Sequence, residues 1–481
     1  MEDPIFNPSQ TQTSQATPTS GARRVALIVA AAFFMQNLDG AIITTSLPQM
    51  ANAFGVRPAD LNIGITAYIL SIAAFVPLSG WVADRLGAKR VFAGAIVIFT
   101  LASLACGFSG NLWQFTAARI VQGLGGALMT PVGRMVVLRS AEKADLMAAT
   151  ALLTWPALIA PVIGPVLGGF ITTYVSWRWN FLLNAPLGAA GVILVLAFVP
   201  NNSNAARISF DPWGFMLTSS ALVVLLLGLE GLSGPRWGLA GLAVLVGLGI
   251  GALAVRHLNW RESPLLDLAP LKVPTFTIST VDAGNLFRMA ISATPFLLPL
   301  MFQLAFGLTA WMAGLYILAY FAGNLLMKTV TTPALRRFGF RNVLIGNGLL
   351  AGASILACAA LTPKTAAEIV VLVLFAAGLT RSMQFTALAT LTFADIEPRH
   401  RASSSTLSSM LQQVSMGLGV ALSAVLINVS QSLRGADRLA LADFRLAFVV
   451  VGLIAIAASA LFLRLDSNAG AEVSGHRPGG A

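Results

Sequence analysis

The chain has 481 residues, 56% of them hydrophobic and only 10% charged, with a mean hydropathy of +0.79. Length alone would suggest a soluble multidomain protein, but recurring apolar runs of eighteen or more residues exclude that and point to a polytopic membrane protein. The formal charge of +11 comes mostly from Lys and Arg between those runs, so the partner it implies is the anionic surface of the lipid bilayer and not nucleic acid.

Residues 1–24 are expected to form a cytoplasmic tail, because 1–22 is rich in Ser, Thr, Gln and Pro and lacks periodicity. The apolar run after Arg23 and Arg24 is too long for a signal-peptide core and is expected to be a retained first helix. Spans are expected near 25–48, 60–83, 91–110, 112–137, 147–173, 180–200, 213–233, 238–256, 276–304, 309–333, 342–361, 366–392, 403–430 and 443–464, an all-α array of fourteen helices. With the N-terminus inside, nineteen Lys and Arg residues fall in cytoplasmic segments and seven in outer ones, which orients the chain and returns the C-terminal tail, 466–481, to the cytoplasm.

Between the second and third spans, G-W-V-A-D-R-L-G-A-K-R runs from Gly80 to Arg90. Asp84, Arg85, Lys89 and Arg90 make it a charged hinge too short for anything but an antiparallel turn. Gly87 suits a positive φ there, and Asp84 can cap a helix or pair across the loop.

The chain also repeats itself. A forward shift of 252 superposes Phe54-Gly55 on Phe306-Gly307, Tyr68 on Tyr320, Arg85 and Gly87 on Arg337 and Gly339, and Cys106 on Cys358, while a shift of 255 pairs Gly164 with Gly419. Two six-helix bundles are therefore expected, at 25–200 and 276–465, with two inserted helices and their linkers at 201–275. Repeated halves are the architecture of transporters that rock about a central site. The equivalent cysteines fit packing better than a disulfide.

Asp39 lies inside the first span, where an ionised carboxylate costs on the order of 2.5–3.5 kcal/mol, so it should face a cavity or a partner. Arg119 lies in the fourth span. Counted from the outer ends, the two are about 13 and 10 Å deep, in one leaflet, where they can pair or exchange a proton through water. Either a structural contact or a proton-carrying role follows, and Arg119 is near enough to an end to snorkel. Helix 5 carries Pro161, Gly164, Pro165, Gly168 and Gly169 and should be bent, closely packed and pliable enough for a gate. Trp177 and Trp179 then anchor a turn at the outer interface.

Arg288, Lys328 and Arg381 complete the bases inside spans, against Asp39 and Asp282. Lys328 is expected to snorkel. Arg288 and Arg381 are too deep for that and need carbonyls, Asp282 or a bound anion. With Gln122 they are the candidate lining of a substrate cavity of positive character.

Asp39 with Leu47-Pro48, the 80–90 loop, Arg119-x-x-Gln122-Gly123, Gly164-Pro165-x-x-Gly168-Gly169 and Trp177-Arg178-Trp179 together resemble the motifs of the major facilitator superfamily, and within it the fourteen-helix drug:proton antiporters of the EmrB/QacA type, MdtD-like branch. The resemblance implies efflux of small molecules by alternating access, driven by proton entry. It maps coupling onto Asp39 and Arg119, and gating onto Gly80, Asp84, Arg85, Gly87, Arg90 and the helix 5 glycines. It further implies a multi-pass protein of the cell inner membrane, a monomer unless a periplasmic adaptor joins it. The sequence departs from the pattern at Ala160, Thr44 and Asn180.

Other classes compete. His257, His400 and His476 lie in expected loops or the tail, and with two Cys they form no metal-ligand spacing. No intramembrane His or acid pair supports an enzyme, and no cofactor or metal is expected. A non-transporting sensor would carry a soluble output domain, which neither tail is long enough to form. Export or import of one anionic metabolite, an organic acid or a metal chelate, is the alternative cargo.

Overall fold

The computed structural model describes residues 20–56, 61–141, 146–200, 209–232, 237–308, 310–435 and 439–476. Residues 1–19, most of the expected N-terminal tail, lie outside this set, as does Arg477. Among the described residues every regular element is helical.

The first half holds α1 (Ser20–Phe54), α2 (Asn62–Phe75), α3 (Leu78–Leu86), α4 (Ala88–Phe108), α5 (Leu112–Ser140), α6 (Leu146–Tyr174), the single turn α7 (Trp179–Leu182) and α8 (Asn184–Phe198). Then come α9 (Pro212–Gly231) and α10 (Trp237–Trp260). The second half holds α11 (Pro274–Thr280), α12 (Ala283–Leu300), α13 (Ala310–Ala360), α14 (Ala367–Ala394), α15 (Arg401–Leu433), α16 (Leu441–Leu461) and the short α17 (Ala471–Ser474).

By length and composition eleven of these helices can cross a membrane, or up to twelve if α2 and α3 count as one bent span, against fourteen expected. The difference has two sources in the chain. The 51 residues of α13 are two helices run together across Gly339 (φ 73°, ψ 165°), and the count, which is of the described residues alone, leaves out the 29-residue α6. The expected span 60–83 is broken by 59° between α2 and α3, where Pro77 has no amide to continue the ladder. The span expected at 276–304 breaks at 281–282, and α6 runs on as one helix through its prolines. The terminal tail at 466–476 is not free: α17 buries Val473 and Ser474, and His476 Nδ1 lies 3.1 Å from the Arg336 carbonyl.

The internal repeat survives as geometry. Gly55 and Gly307 have φ of 67° and 71°, and Gly87 and Gly339 of 87° and 73°, so the same turns recur 252 residues on at positions only glycine fills easily. A Cβ on Gly123 would meet the Tyr68 carbonyl oxygen at 2.7 Å, and one on Gly378 the Tyr320 carbonyl oxygen at 1.9 Å, so α5 and α14 each press on the equivalent helix.

Two large apolar cores follow. One joins α1, α4, α5 and α8 around Phe92, Phe99 and Met129; the other joins α12, α13, α14 and α16 around Phe287, Phe340 and Phe448. They meet on the face that carries the 84–90 loop. There Ser79 Oγ lies 3.0 Å from Thr406 Oγ1, Ser405 donates to the Pro131 carbonyl at 2.7 Å, and Arg401 donates to the Leu138 carbonyl at 2.5 Å. Gly80 belongs to this seam, since a Cβ there would stand 3.0 Å from Thr406 Oγ1.

The α9–α10 hairpin packs backbone to backbone, with Gly228 against Val244 and Gly247 against Leu225. Its loop-face end is fastened by Asp211, buried, which caps α9 through the Gly214 amide (3.0 Å), holds His257 Nε2 (3.0 Å) and accepts from the Leu265 amide (3.4 Å). Burial alone would raise the Asp211 carboxyl pKa, but the hydrogen bonds from Gly214, His257 and Leu265 outweigh it and hold the group below the usual carboxylate range. The stabilisation is therefore present above the unfolded-state pKa and is lost as pH falls through the folded value. Asp211→Ala should cost about 1 kcal/mol of cap alone, and melting curves across the acid range should show a shallower loss of stability in the variant than in the wild type.

Candidate functional site

The sequence leaves Asp39 needing a partner, and the fold supplies three. Arg119 Nη1 lies 2.7 Å from Asp39 Oδ2, while Gln122 Nε2 and Asn184 Nδ2 each donate to Oδ1 at 2.9 Å. The Asp39 and Arg119 side chains are 0% and 1% exposed, so the ion pair is sealed from water. Gln122 also accepts from Arg119 Nη1 at 2.6 Å, which makes one amide the bridge between acid and base. Behind it Asn184 reaches Ser103 Oγ at 2.8 Å, and the Arg119 guanidinium lies 4.1 Å from the centre of the Tyr68 ring. The Arg119 Nε is buried without a partner among the described residues.

Local sequence explains the placement. Arg119 and Gln122 are three apart on α5 and share a face, and the close approach of α2 that brings Tyr68 under Arg119 is permitted by Gly123. Asn184 starts α8, one turn after Asn180, so both point inward. Asn180 Nδ2 bonds Ser46 Oγ (2.7 Å) and Thr172 Oγ1 (2.8 Å) and lies 3.4 Å from the Gly168 carbonyl, a second polar cluster one turn toward the far face. An aliphatic residue at position 180 could not make it. Above it, Phe54, Phe115, Trp177 and Phe181 pack with ring centroids 5.4–6.2 Å apart, edge to face except for the tilted Phe54–Phe115 pair, and close the far end of the site.

The other expected site residues scatter. Gln122, expected at a substrate cavity, is wholly buried and belongs to the Asp39 network. Asp282 sits in the break before α12 and makes no ion pair with Arg288 among the described residues. Arg288, 5% exposed, donates to the Ser279 carbonyl at 2.6 Å. That carbonyl is left over by the end of α11, and Gly284 lets the chain fold back over it. Lys328 does not snorkel: it is 8% exposed and donates to Thr386 Oγ1. Arg381 faces a small cavity among α12, α13 and α14.

In the loop, Asp84 pairs with Arg139 at 2.7 Å, Arg85 lies over Trp81, Gly87 takes its positive φ and Arg90 is exposed. On α6 a Cβ at Gly164 would meet the Ala41 Cβ at 2.5 Å, so α1 and α6 touch there, whereas Gly169 has open space. Ala160 is buried against Leu38 and Ile42. The side chains of Thr44, Pro161 and Pro165 lie outside the described residues.

Asn184, Ser103 and Tyr68 were not legible as site residues. The spacing of Asn180 and Asn184, two amides one turn apart at the start of an apolar run, is the signal that could have found the first. In the sequence Arg134 counts only as one of the nineteen basic residues of the cytoplasmic segments. It lies at the seam, 3.4 Å from Ser408 Oγ and 5.8 Å from the Phe393 ring centre.

The profile of the Major Facilitator Superfamily matches residues 29–232 and 283–480. A protein of Serratia proteamaculans (strain 568), named provisionally as multidrug resistance protein MdtD, is 39% identical over 402 residues, covering 83% of this chain and 84% of the relative. One of Escherichia coli O6:H1 under the same provisional name is 37% identical over 407 residues, covering 84% and 85%. Among solved structures, the human organic anion transporter MFSD10 superposes with a TM-score of 0.65 at 13% identity, over 92% of this chain and 100% of that one. The proton:xylose symporter XylE does so at 0.62 and 13%, over 93% and 96%.

Removing one partner of a sealed ion pair strands the other. Arg119→Leu should therefore cost about 3–5 kcal/mol, and the double variant Asp39→Asn, Arg119→Leu less than that. Thermal unfolding of the purified variants checks the order; a double variant less stable than Arg119→Leu alone would contradict it.

Proposed function

The chain belongs to the major facilitator superfamily of membrane transporters, and we propose that it exports small molecules by alternating access, driven by proton entry through Asp39. The observation that carries this reading is the sealed Asp39–Arg119 pair, an acid and a base held in one hydrogen-bonded network inside the spans. A proton arriving at Asp39 would neutralise the carboxylate and leave Arg119 without its counter-ion. Gln122 Oε1, already within hydrogen-bond distance, would then be the acceptor that remains. The change in charge would loosen α1 from α5, and α1 also touches α6 at Gly164, the helix assigned to gating with Pro165, Gly168 and Gly169.

The Ser79–Thr406, Ser405–Pro131 and Arg401–Leu138 contacts make the loop face the closed side in this state. Opening it would part Gly80 from α15 and shift the Asp84–Arg139 pair. On this reading residues 25–200 and 276–465 move as the two bundles, 201–275 links them, fourteen spans leave both termini in the cytoplasm, and the membrane is the inner one. The provisional multidrug name of the relatives supports export of varied drugs.

Arg134 and Arg288 favour a second cargo. They come from opposite halves and converge on neighbouring positions of α14: Arg134 lies over Phe393, and the Ser279 that accepts from Arg288 is 3.0 Å from Thr392 Oγ1. Neither has an acidic partner among the described residues, so an anionic solute such as an organic acid or metal chelate would find a cationic seam.

In proteoliposomes with an imposed pH gradient, Asp39→Asn should still insert, less stable than wild type because Arg119 loses its counter-ion, and should lose uphill transport when equal amounts of folded protein are compared. Undiminished transport would remove Asp39 from the mechanism. In the same vesicles, carboxylates competing with a labelled solute, with the competition weakened in Arg288→Ala, would select the anionic cargo; competition by quaternary ammonium ions alone would select the cationic one.

A further inference from the structure

The two halves keep the same loop turn but not the same brace. In the first half Gly87 makes the turn, and the Asp84–Arg139 pair ties the loop to α5. The shift of 252 that carries Gly87 to Gly339 carries Asp84 to Arg336, and the shift of 255 that carries Gly123 to Gly378 carries Arg139 to Ala394. Neither member of the ion pair is kept, so the turn in α13 lacks that brace.

The C-terminal segment stands in its place. Leu465, Ala469 and Val473 are buried and belong to the apolar core of the second half. Gly470 and Gly475, with φ of 66° and 69°, turn the chain on either side of α17. A Cβ on Gly470 would stand 2.8 Å from the Phe340 ring. The His476 ring covers the turn itself: a Cβ on Gly339 would meet its Cδ2 at 2.8 Å, and its Nδ1 is 3.1 Å from the Arg336 carbonyl. These contacts fix the segment to the second half. Yet α17 also touches α6 of the first half, the helix assigned to gating, so the segment bridges the two halves.

We propose that residues 466–476 are a gating element, a strut carried by the second half whose contact with α6 helps hold the loop face closed and breaks each time that face opens. This role rests on the alternating-access reading, but not on which solute moves or which residue carries the proton.

A cap that served the second half alone would leave the seam unchanged, and thiol labelling separates the two. Ser405 lies in the seam and is 1% exposed, so a thiol placed there by Ser405→Cys should react with a water-soluble maleimide when the loop face opens. Cys106 and Cys358, buried in the first and second halves, report unfolding of either one. In lipid nanodiscs, ending the chain at Leu465 should speed labelling of the introduced thiol about tenfold, the size of an ordinary conformational coupling, while Cys106 and Cys358 stay unreactive. If that chain does not fold, Gly470→Val, which its positive φ and the Phe340 ring both oppose, and His476→Ala decide, each speeding the labelling and the first more. An unchanged rate in the variants that fold overturns the strut. So does Cys358 becoming reactive in step with the introduced thiol, which makes the segment a cap of the second half only. Neither gradient nor solute is present in this measurement, so its failure leaves Asp39 coupling untouched, and undiminished transport by Asp39→Asn leaves the strut untouched.

Discussion

A charge in hydrocarbon must be neutralised where it stands, and in this chain that requirement is met at one point with unusual completeness. Asp39 brings α1 against α5 through Arg119, and Asn184 brings α8 to the same carboxylate. Each carboxylate oxygen has a donor, and Gln122 satisfies acid and base together. The close contacts nearby follow from that demand: Gly123 lets α2 approach so that Tyr68 covers the guanidinium, and Gly164 lets α6 approach α1. An apolar core alone would tolerate sliding among these helices, whereas a buried ion pair with fixed hydrogen bonds does not.

Much of this was written in the chain, and what was not had definite reasons. Counting residues from the ends of two apolar runs was enough to set Asp39 and Arg119 at similar depth, because helical rise is constant. The repeat was legible because turns that need a positive φ keep their glycines, as Gly87 and Gly339 do. The bond from Gln122 to Asp39 needed one further step: a residue three after Arg119 on a helix shares its face. Arg288 was harder. Its acceptor is a carbonyl freed by a helix break at Val281 and Asp282, a site with no proline to announce it, and only Gly284 nearby hints at the tight return. Lys328 shows the limit of depth alone, since five residues from an end is no guarantee of reaching water when Thr386 is closer.

The two halves are not equivalent in their electrostatics. The first concentrates its buried charge in a matched pair; the second carries Arg288, Lys328 and Arg381 with no buried carboxylate beside them among the described residues. Repetition of backbone has thus been kept while repetition of charge has not.

The inserted hairpin bears on how such halves could move. Its first helix, α9, is held to α2 by Ser219, which donates to the Ala74 carbonyl at 2.5 Å, and by Glu230, which accepts from Thr66 at 3.1 Å. On its other side Leu226 and Leu229 lie against Gly417 of α15. One flank is polar and fastened; the other is apolar and smooth, with a glycine offering no side chain to catch on. If the halves rotate as proposed, α9 would travel with the first bundle and α15 would slip past it, so the hairpin would serve as a bearing surface for the second bundle.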